Sequence, residues 1–102
     1  IILPVAYPHN DHIWNQYTLR VLGGKRDELR DYLTALKIGC EVYYPVTLDQ
    51  QQCFADLPES SRTGCDISHR LASEVMSIPI YGELTEAQRL VVIAGIASWL
   101  AA

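Results

Sequence analysis

Between residues 25 and 38 the apolar positions recur with helical spacing. Leu29, Tyr32, Leu33 and Leu36 fall at i, i+3, i+4 and i+7, one stripe along a helix. Asp27 and Glu28 stand in the first turn, where the helix dipole favours negative charge, and Lys37 stands in the last. Gly39 occupies the place where a left-handed residue would end this helix. Before it, residues 12–22 (HIWNQYTLRVL) alternate as a strand does. Ile13, Asn15, Tyr17, Leu19 and Val21 form the expected core face; Trp14, Gln16, Thr18 and Arg20 form the other. Gly23-Gly24 breaks this strand. A second strand is expected at 40–44, and Pro45 ends it because it has no amide hydrogen for a ladder.

Further on the signals weaken and then sharpen. Residues 49–57 suit a short, poorly capped helix, and 57–64 (LPESSRTG) a polar surface loop. Residues 66–76 read as a helix that turns Ile67, Leu71, Val75 and Met76 inward. Residues 77–81 (SIPIY) form an edge strand interrupted by Pro79. Thr85 and Gln88 have the spacing of a capping box, which starts a last helix over 86–100. That helix is apolar nearly all round, with Leu90, Val91, Val92, Ile93, Ile96, Trp99 and Leu100. Such a helix must be covered nearly all round, and the other elements are too few to do it. A neighbour is therefore expected, either another domain or another subunit. The fold class is α/β: a small sheet of about three strands (13–21, 40–44 and 77–80) with helices mostly on one face. If the first two strands are adjacent and parallel, their crossover should be right-handed.

Length and charge narrow the function classes. With 102 residues the chain suits one small domain. The net charge of −4 and the absence of a basic patch argue against nucleic acid and against an anionic membrane surface. The longest uncharged run, 90–102, is short of the roughly 20 residues that a spanning helix needs. Three cysteines, Cys40, Cys53 and Cys65, without a CxxC pair fit neither a disulfide framework nor a zinc site, and they point to a reducing cytoplasm. The chain starts at Ile1-Ile2-Leu3-Pro4 rather than at Met, as expected of a processed or excised piece.

Candidate chemistry concentrates at residues 39–54 (GCEVYYPVTLDQQQCF). Neighbours on a strand face opposite sides, so of Tyr43 and Tyr44 one packs and the other presents its hydroxyl. A phenol at a strand end beside a polar loop can hold a ligand rich in hydroxyls. The alternative is two half-buried rings with wet hydroxyls. His9-Asn10-Asp11-His12 reads as an exposed lead-in, with no third metal ligand at a recognisable spacing. Gly23-Gly24-Lys25 lacks phosphate-loop spacing and reads as a strand-to-helix turn. Cys65 and His69 lie four apart on a helix with no orienting third group, and so read as a helix face. Lys25 and Lys37 sit at helix ends, without the apolar surroundings that would suit a Schiff-base lysine.

Four segments carry a family resemblance. Residues 38–54 (IGCEVYYPVTLDQQQCF) resemble the GI-x-x-x-(His/Tyr)-Tyr-Pro-x-Pro-Leu-His-x-Gln-x-x-(Phe/Tyr) segment of the DegT/StrS-type nucleotide-sugar aminotransferases. Residues 12–20 (HIWNQYTLR) are similar to that family's His-(Val/Ile)-(Tyr/Trp)-x-x-Tyr strand, and Arg26-Asp27-Glu28-Leu29 to its Arg-Asp-x-Leu helix start. Residues 76–85 (MSIPIYGELT) resemble its Leu-Ser-Leu-Pro segment, which a closing helix follows. The match runs in order over nearly the whole chain.

The resemblance implies a pyridoxal-phosphate enzyme of the aspartate aminotransferase fold. Residues 1–102 would be its C-terminal small domain. A large domain before Ile1 would carry the Schiff-base lysine and most cofactor contacts. The implied reaction moves an amino group, usually from glutamate, to a keto-sugar bound to a nucleotide. A homodimer with active sites at the subunit interface is implied too. Carried over by position, Tyr43 takes the place of the family's His/Tyr and Tyr44 that of its Tyr, both against the nucleotide-sugar. Tyr17 and Asn15 are further substrate-binding candidates, because in relatives their strand leads toward the pocket. Thr47 replaces the usual Pro, and Asp49 replaces a common His, which sets a negative charge near the place of a diphosphate. A non-catalytic binding or interaction module is the competing reading, and a lysine-less regulatory or dehydratase-like relative is another.

Overall fold

In the computed structural model, which describes residues 1–59 and 63–102, the chain is built on one antiparallel strand pair. Strand β1 (Tyr17–Arg20) lies against β2 (Val75–Ile78), with Leu19 opposite Met76 and Thr18 opposite Ser77. Leu19 and Met76 are completely buried on one face. On the other face the Thr18 and Ser77 hydroxyls meet at 2.9 Å. Beyond one end of the ladder, Arg20 and Glu74 form an ion pair at 2.7 Å. Single bridges extend the pair on both sides. Ile2 exchanges backbone bonds with Arg20, and Glu41 with Ser77.

The third strand expected at 40–44 is thus reduced to Glu41, and the sheet has two strands. β2 stands between β1 and residue 41, so the conditional parallel crossover does not arise. Beyond Glu41 the chain bends out of the ladder toward Pro45, which has no amide hydrogen to give. The first strand is shorter than its alternation predicts. It starts at Tyr17, and Ile13 is 84% exposed rather than core. Ladder partners exist only from Tyr17 on, so the earlier alternation has no sheet to face.

Helix α1 (Arg26–Ala35) follows its predicted stripe, with Leu29 and Leu33 fully buried, although Leu36 is half exposed. Its end differs from expectation. Lys37, with φ 60°, takes the left-handed position, and Gly39 does not. The Lys37 amide donates to the Thr34 carbonyl and the Ile38 amide to Leu33, both at 2.9 Å. This is a Schellman closure, in which the apolar residue after the left-handed one folds back on the helix. Ile38 does so: it joins Leu33, Leu29, Val21, Met76 and Val92 in the core. Arg26 opens α1 from a buried position. Its guanidinium donates to the carbonyls of Ala72 and Val75 and pairs with Asp27, which ties α1 to the chain entering β2.

The 49–57 stretch forms short 3-10 turns at Leu48–Gln50 and Gln52–Phe54 instead of a helix. The predicted loop over 57–64 lies partly outside the described residues. Helix α2 (Asp66–Glu74) stops two residues before its predicted end, and Val75 and Met76 belong to β2. Met76 is buried as expected, but from the strand; Ala72 is the buried residue of α2, and Ile67 is exposed. Helix α3 (Glu86–Ala101) starts at the predicted capping box, with Thr85 Oγ1 accepting from the Gln88 amide and Gln88 Oε1 from the Thr85 amide. Gly95 brings α3 onto α1: a β-carbon there would stand 3.1 Å from Leu33 Cδ2 and 3.2 Å from Ile38 Cδ1.

The outer face of α3 is bare. Leu90, Val91, Ile93 and Leu100 are each more than half exposed. An apolar groove of about 590 Å³ runs between α3 and the sheet, past Ile1, Leu3, Tyr17 and Ile78. The radius of gyration is 16.2 Å, against about 13 Å for a compact domain of about 100 residues. The accessible surface is 7567 Å², against roughly 5800 Å² for a folded monomer of this mass. Among the described residues, no helix is long and apolar enough to cross a membrane.

Cys40 packs beside the core, and burial pushes its thiol above the ordinary value, with the Glu41 charge adding to the effect. Its thiolate is therefore disfavoured in the folded state. The stability linked to this thiol is complete below the ordinary thiol pKa and falls as pH rises above it. Alkylation at mildly alkaline pH should modify exposed Cys53 first and Cys40 several-fold more slowly, read by peptide mass mapping; equal rates would contradict the burial of Cys40. Gly95→Leu should destabilise the α1–α3 contact by about 1–3 kcal/mol in urea unfolding, because Leu33 and Ile38 leave it no room.

Candidate functional site

The bridge at Glu41 delivers the chain to a cleft beside α2. Tyr43 and Tyr44 are joined by a cis peptide and both are exposed, at 45% and 73%. Their rings meet edge to face with centroids 5.9 Å apart. Strand alternation does not separate them, because the ladder has already ended at Glu41. Both line one cleft of about 720 Å³, together with Thr47, Asp49, Gln51, Cys65 and Ser68. Among its lining groups, two phenols, an amide and hydroxyls can bond a ligand that presents oxygens, while Val46, Leu48, Phe54, Leu57 and Leu71 offer apolar contact.

The cleft also carries charge. Asp49, on the first 3-10 turn, points Oδ2 at His69 Nε2 on α2, 2.6 Å away. The Thr47 hydroxyl, and after it His69, hold the Asp49 carboxyl below the ordinary carboxylate value. Thr47 Oγ1 is buried with no partner at hydrogen-bond geometry, so its effect on the carboxylate is that of a nearby dipole. Cys65 stands one turn before His69, in the N-cap position of α2. One donor atom from each of Asp49, Cys65 and His69 lies within 4.8 Å of the other two. The pair Cys65–His69 thus has the third group that its sequence context lacked. The i, i+4 spacing of Cys65 and His69 was visible in the sequence. Asp49 lies twenty residues from His69 along the chain, and no local pattern connects them.

The four candidate substrate residues do not share a cavity in this chain. Tyr43 and Tyr44 line the cleft just described. Tyr17 lines the apolar groove under α3, its ring 5.0 Å from that of Trp14, which in turn meets His12 at 4.2 Å. Asn15 is exposed at a bend before β1. Both lysines are exposed: Lys25 stands 5.8 Å over the Trp99 ring and Lys37 caps α1. Neither reaches the tyrosine cleft.

Residues 1–97 match the model of the DegT/DnrJ/EryC1/StrS aminotransferase family, and the chain belongs to that family. It is 34% identical over 86 residues to a UDP-N-acetyl-3-dehydro-alpha-D-glucosamine 3-aminotransferase of Acidithiobacillus ferrooxidans; the match covers 84% of this chain and 22% of that protein. It is 33% identical over 106 residues to a pleiotropic regulatory protein of Geobacillus stearothermophilus, covering 97% of this chain and 26% of the relative. Among solved structures, Streptomyces venezuelae DesV in complex with a ketimine intermediate superimposes with a TM-score of 0.80 at 34% identity, over 96% of this chain and 26% of DesV. The chain therefore spans about a quarter of the length of the relatives it matches.

Proposed function

We propose that residues 1–102 are the C-terminal small domain of a pyridoxal-phosphate-dependent aminotransferase that acts on a nucleotide-linked keto-sugar, with glutamate as donor. The observation that carries this reading is the cleft lined by the exposed phenols of Tyr43 and Tyr44 on a chain of this family. The Tyr43 and Tyr44 hydroxyls would donate to sugar or diphosphate oxygens. The Asp49 carboxylate repels phosphate, so the phosphates would lie away from it. Tyr17 and Asn15 would reach substrate from the β1 end once a large domain closes the site.

The described residues do not fit the cofactor. Neither lysine lines the cleft, and among the described residues that do, the charged group is the Asp49 carboxylate, which opposes a phosphate. The Schiff-base lysine would then lie in a large domain preceding Ile1. The carbon–nitrogen chemistry belongs to the cofactor and the residues that hold it, and this chain contributes recognition of the sugar nucleotide. The bare apolar face of α3 and the excess surface support such a neighbour, in a cytoplasmic homodimer.

The test uses the longest native polypeptide that contains residues 1–102. A yellow protein that borohydride bleaches, with the cofactor trapped on one lysine before Ile1, is the expected result. A colourless protein that takes up no pyridoxal phosphate would overturn the catalytic reading. It would favour a regulatory relative, the reading that likeness to a pleiotropic regulatory protein supports. In the active enzyme, Tyr44→Phe should raise KM for the nucleotide-sugar about 2- to 10-fold, the value of one hydrogen bond, with unfolding nearly unchanged. An unaltered KM would remove Tyr44 from the contact.

A further inference from the structure

The Asp49, Cys65 and His69 cluster beside the tyrosine cleft offers three donors of three kinds from two separate segments. Asp49 comes from the 3-10 turn, and Cys65 and His69 come from successive turns of α2. Their donor atoms lie within 4.8 Å of one another. In a tetrahedral site with bonds of about 2.0–2.3 Å, donor atoms stand roughly 3.3–3.8 Å apart. The 2.6 Å contact between His69 and Asp49 would open by roughly 1 Å, and the sulfur, at most 4.8 Å from the other donors, would move in by no more than about 1–1.5 Å. Small side-chain rotations supply both.

We propose that Asp49, Cys65 and His69 form a binding site for a zinc-class divalent cation on the wall of this cleft, with water in the fourth position. The inference stands apart from the aminotransferase reading. Thiolate with imidazole selects a borderline cation over magnesium or calcium, which prefer oxygen donors alone. The sequence argued against zinc from the lack of a CxxC pair, but this set needs only one cysteine.

The surroundings suit the ion. Asp49 is well covered, with its side chain 14% exposed, and His69 is partly so at 33%. The Thr47 hydroxyl, two residues before Asp49 along the chain, is buried without a hydrogen-bond partner. On binding, the Cys65 thiol releases its proton to solvent. His69 would bind as a neutral imidazole, with its single ring proton on Nδ1 and the Nε2 lone pair toward the ion.

Cobalt(II) tests the site in the longest native polypeptide, after chelator treatment. The expected result is a near-ultraviolet thiolate-to-cobalt band with tetrahedral visible bands, displaced by zinc(II). Cys65→Ser should abolish the thiolate band, whereas Cys53→Ser should leave it unchanged. Asp49→Asn and His69→Gln should each weaken cobalt binding at least about ten-fold. No thiolate band, or a band that survives Cys65→Ser, would overturn the site. Should the Cys65 variant fail to fold, the unmodified protein still decides: saturating zinc(II) should slow iodoacetamide alkylation of Cys65 at least about ten-fold, and an unchanged rate would overturn the proposal. Cofactor trapping by borohydride is read on the same protein without added metal, so the two proposals fail separately.

Discussion

Leu19 lies opposite Met76 in the β1–β2 ladder, and both are completely buried. The other elements depend on this pair. α1 reaches Met76 through Leu29 and Leu33, and α3 through Val92. Met76 is followed by Ser77, which holds Glu41 by two backbone bonds and so fixes where the tyrosine segment leaves the sheet. The same strand is continuous with α2, so Cys65 and His69 are placed by it as well. A displacement of β2 would therefore move both walls of the cleft together.

A core resting on so few residues leaves much of the chain uncovered. Full burial of an aliphatic side chain is worth about 1.5–3 kcal/mol, and Leu90, Val91, Ile93 and Leu100 forgo most of that here. Gly95 explains why α3 nevertheless has a defined inner face. Its missing side chain lets the helix settle on Leu33 and Ile38, and the bulkier residues are left to the outside. A helix of this composition is suited to lie between two bodies, with this chain supplying one of them.

The cleft combines two kinds of group. The exposed phenols of Tyr43 and Tyr44 offer hydrogen bonds without fixed charge, whereas Asp49 and Cys65, with His69 close to both, offer metal-binding donors. A divalent cation on that cluster would offset the Asp49 charge, which otherwise opposes an anionic ligand nearby.

What the sequence determined by itself is what depends on neighbours within a turn or two. The stripe of α1 and the capping box of α3 are local, because residues three and four apart meet on a helix whatever surrounds it. The family likeness was legible for a related reason: motifs such as Tyr43-Tyr44-Pro45 and Ser77-Ile78-Pro79 keep their order and spacing along the chain. Tertiary structure decided the rest. Val75 and Met76 continue the helical pattern of α2 but become strand, because β1 offers them ladder partners. Residues 40–44 look like a strand and keep one bridge, because only Glu41 finds a partner. The helix end passes from Gly39 to Lys37, because burying Ile38 on Leu33 outweighs the strain of a left-handed lysine. Asp49 meets His69 and Cys65 only because the chain path returns α2 to the 3-10 turn, a contact between distant residues that no local spacing encodes.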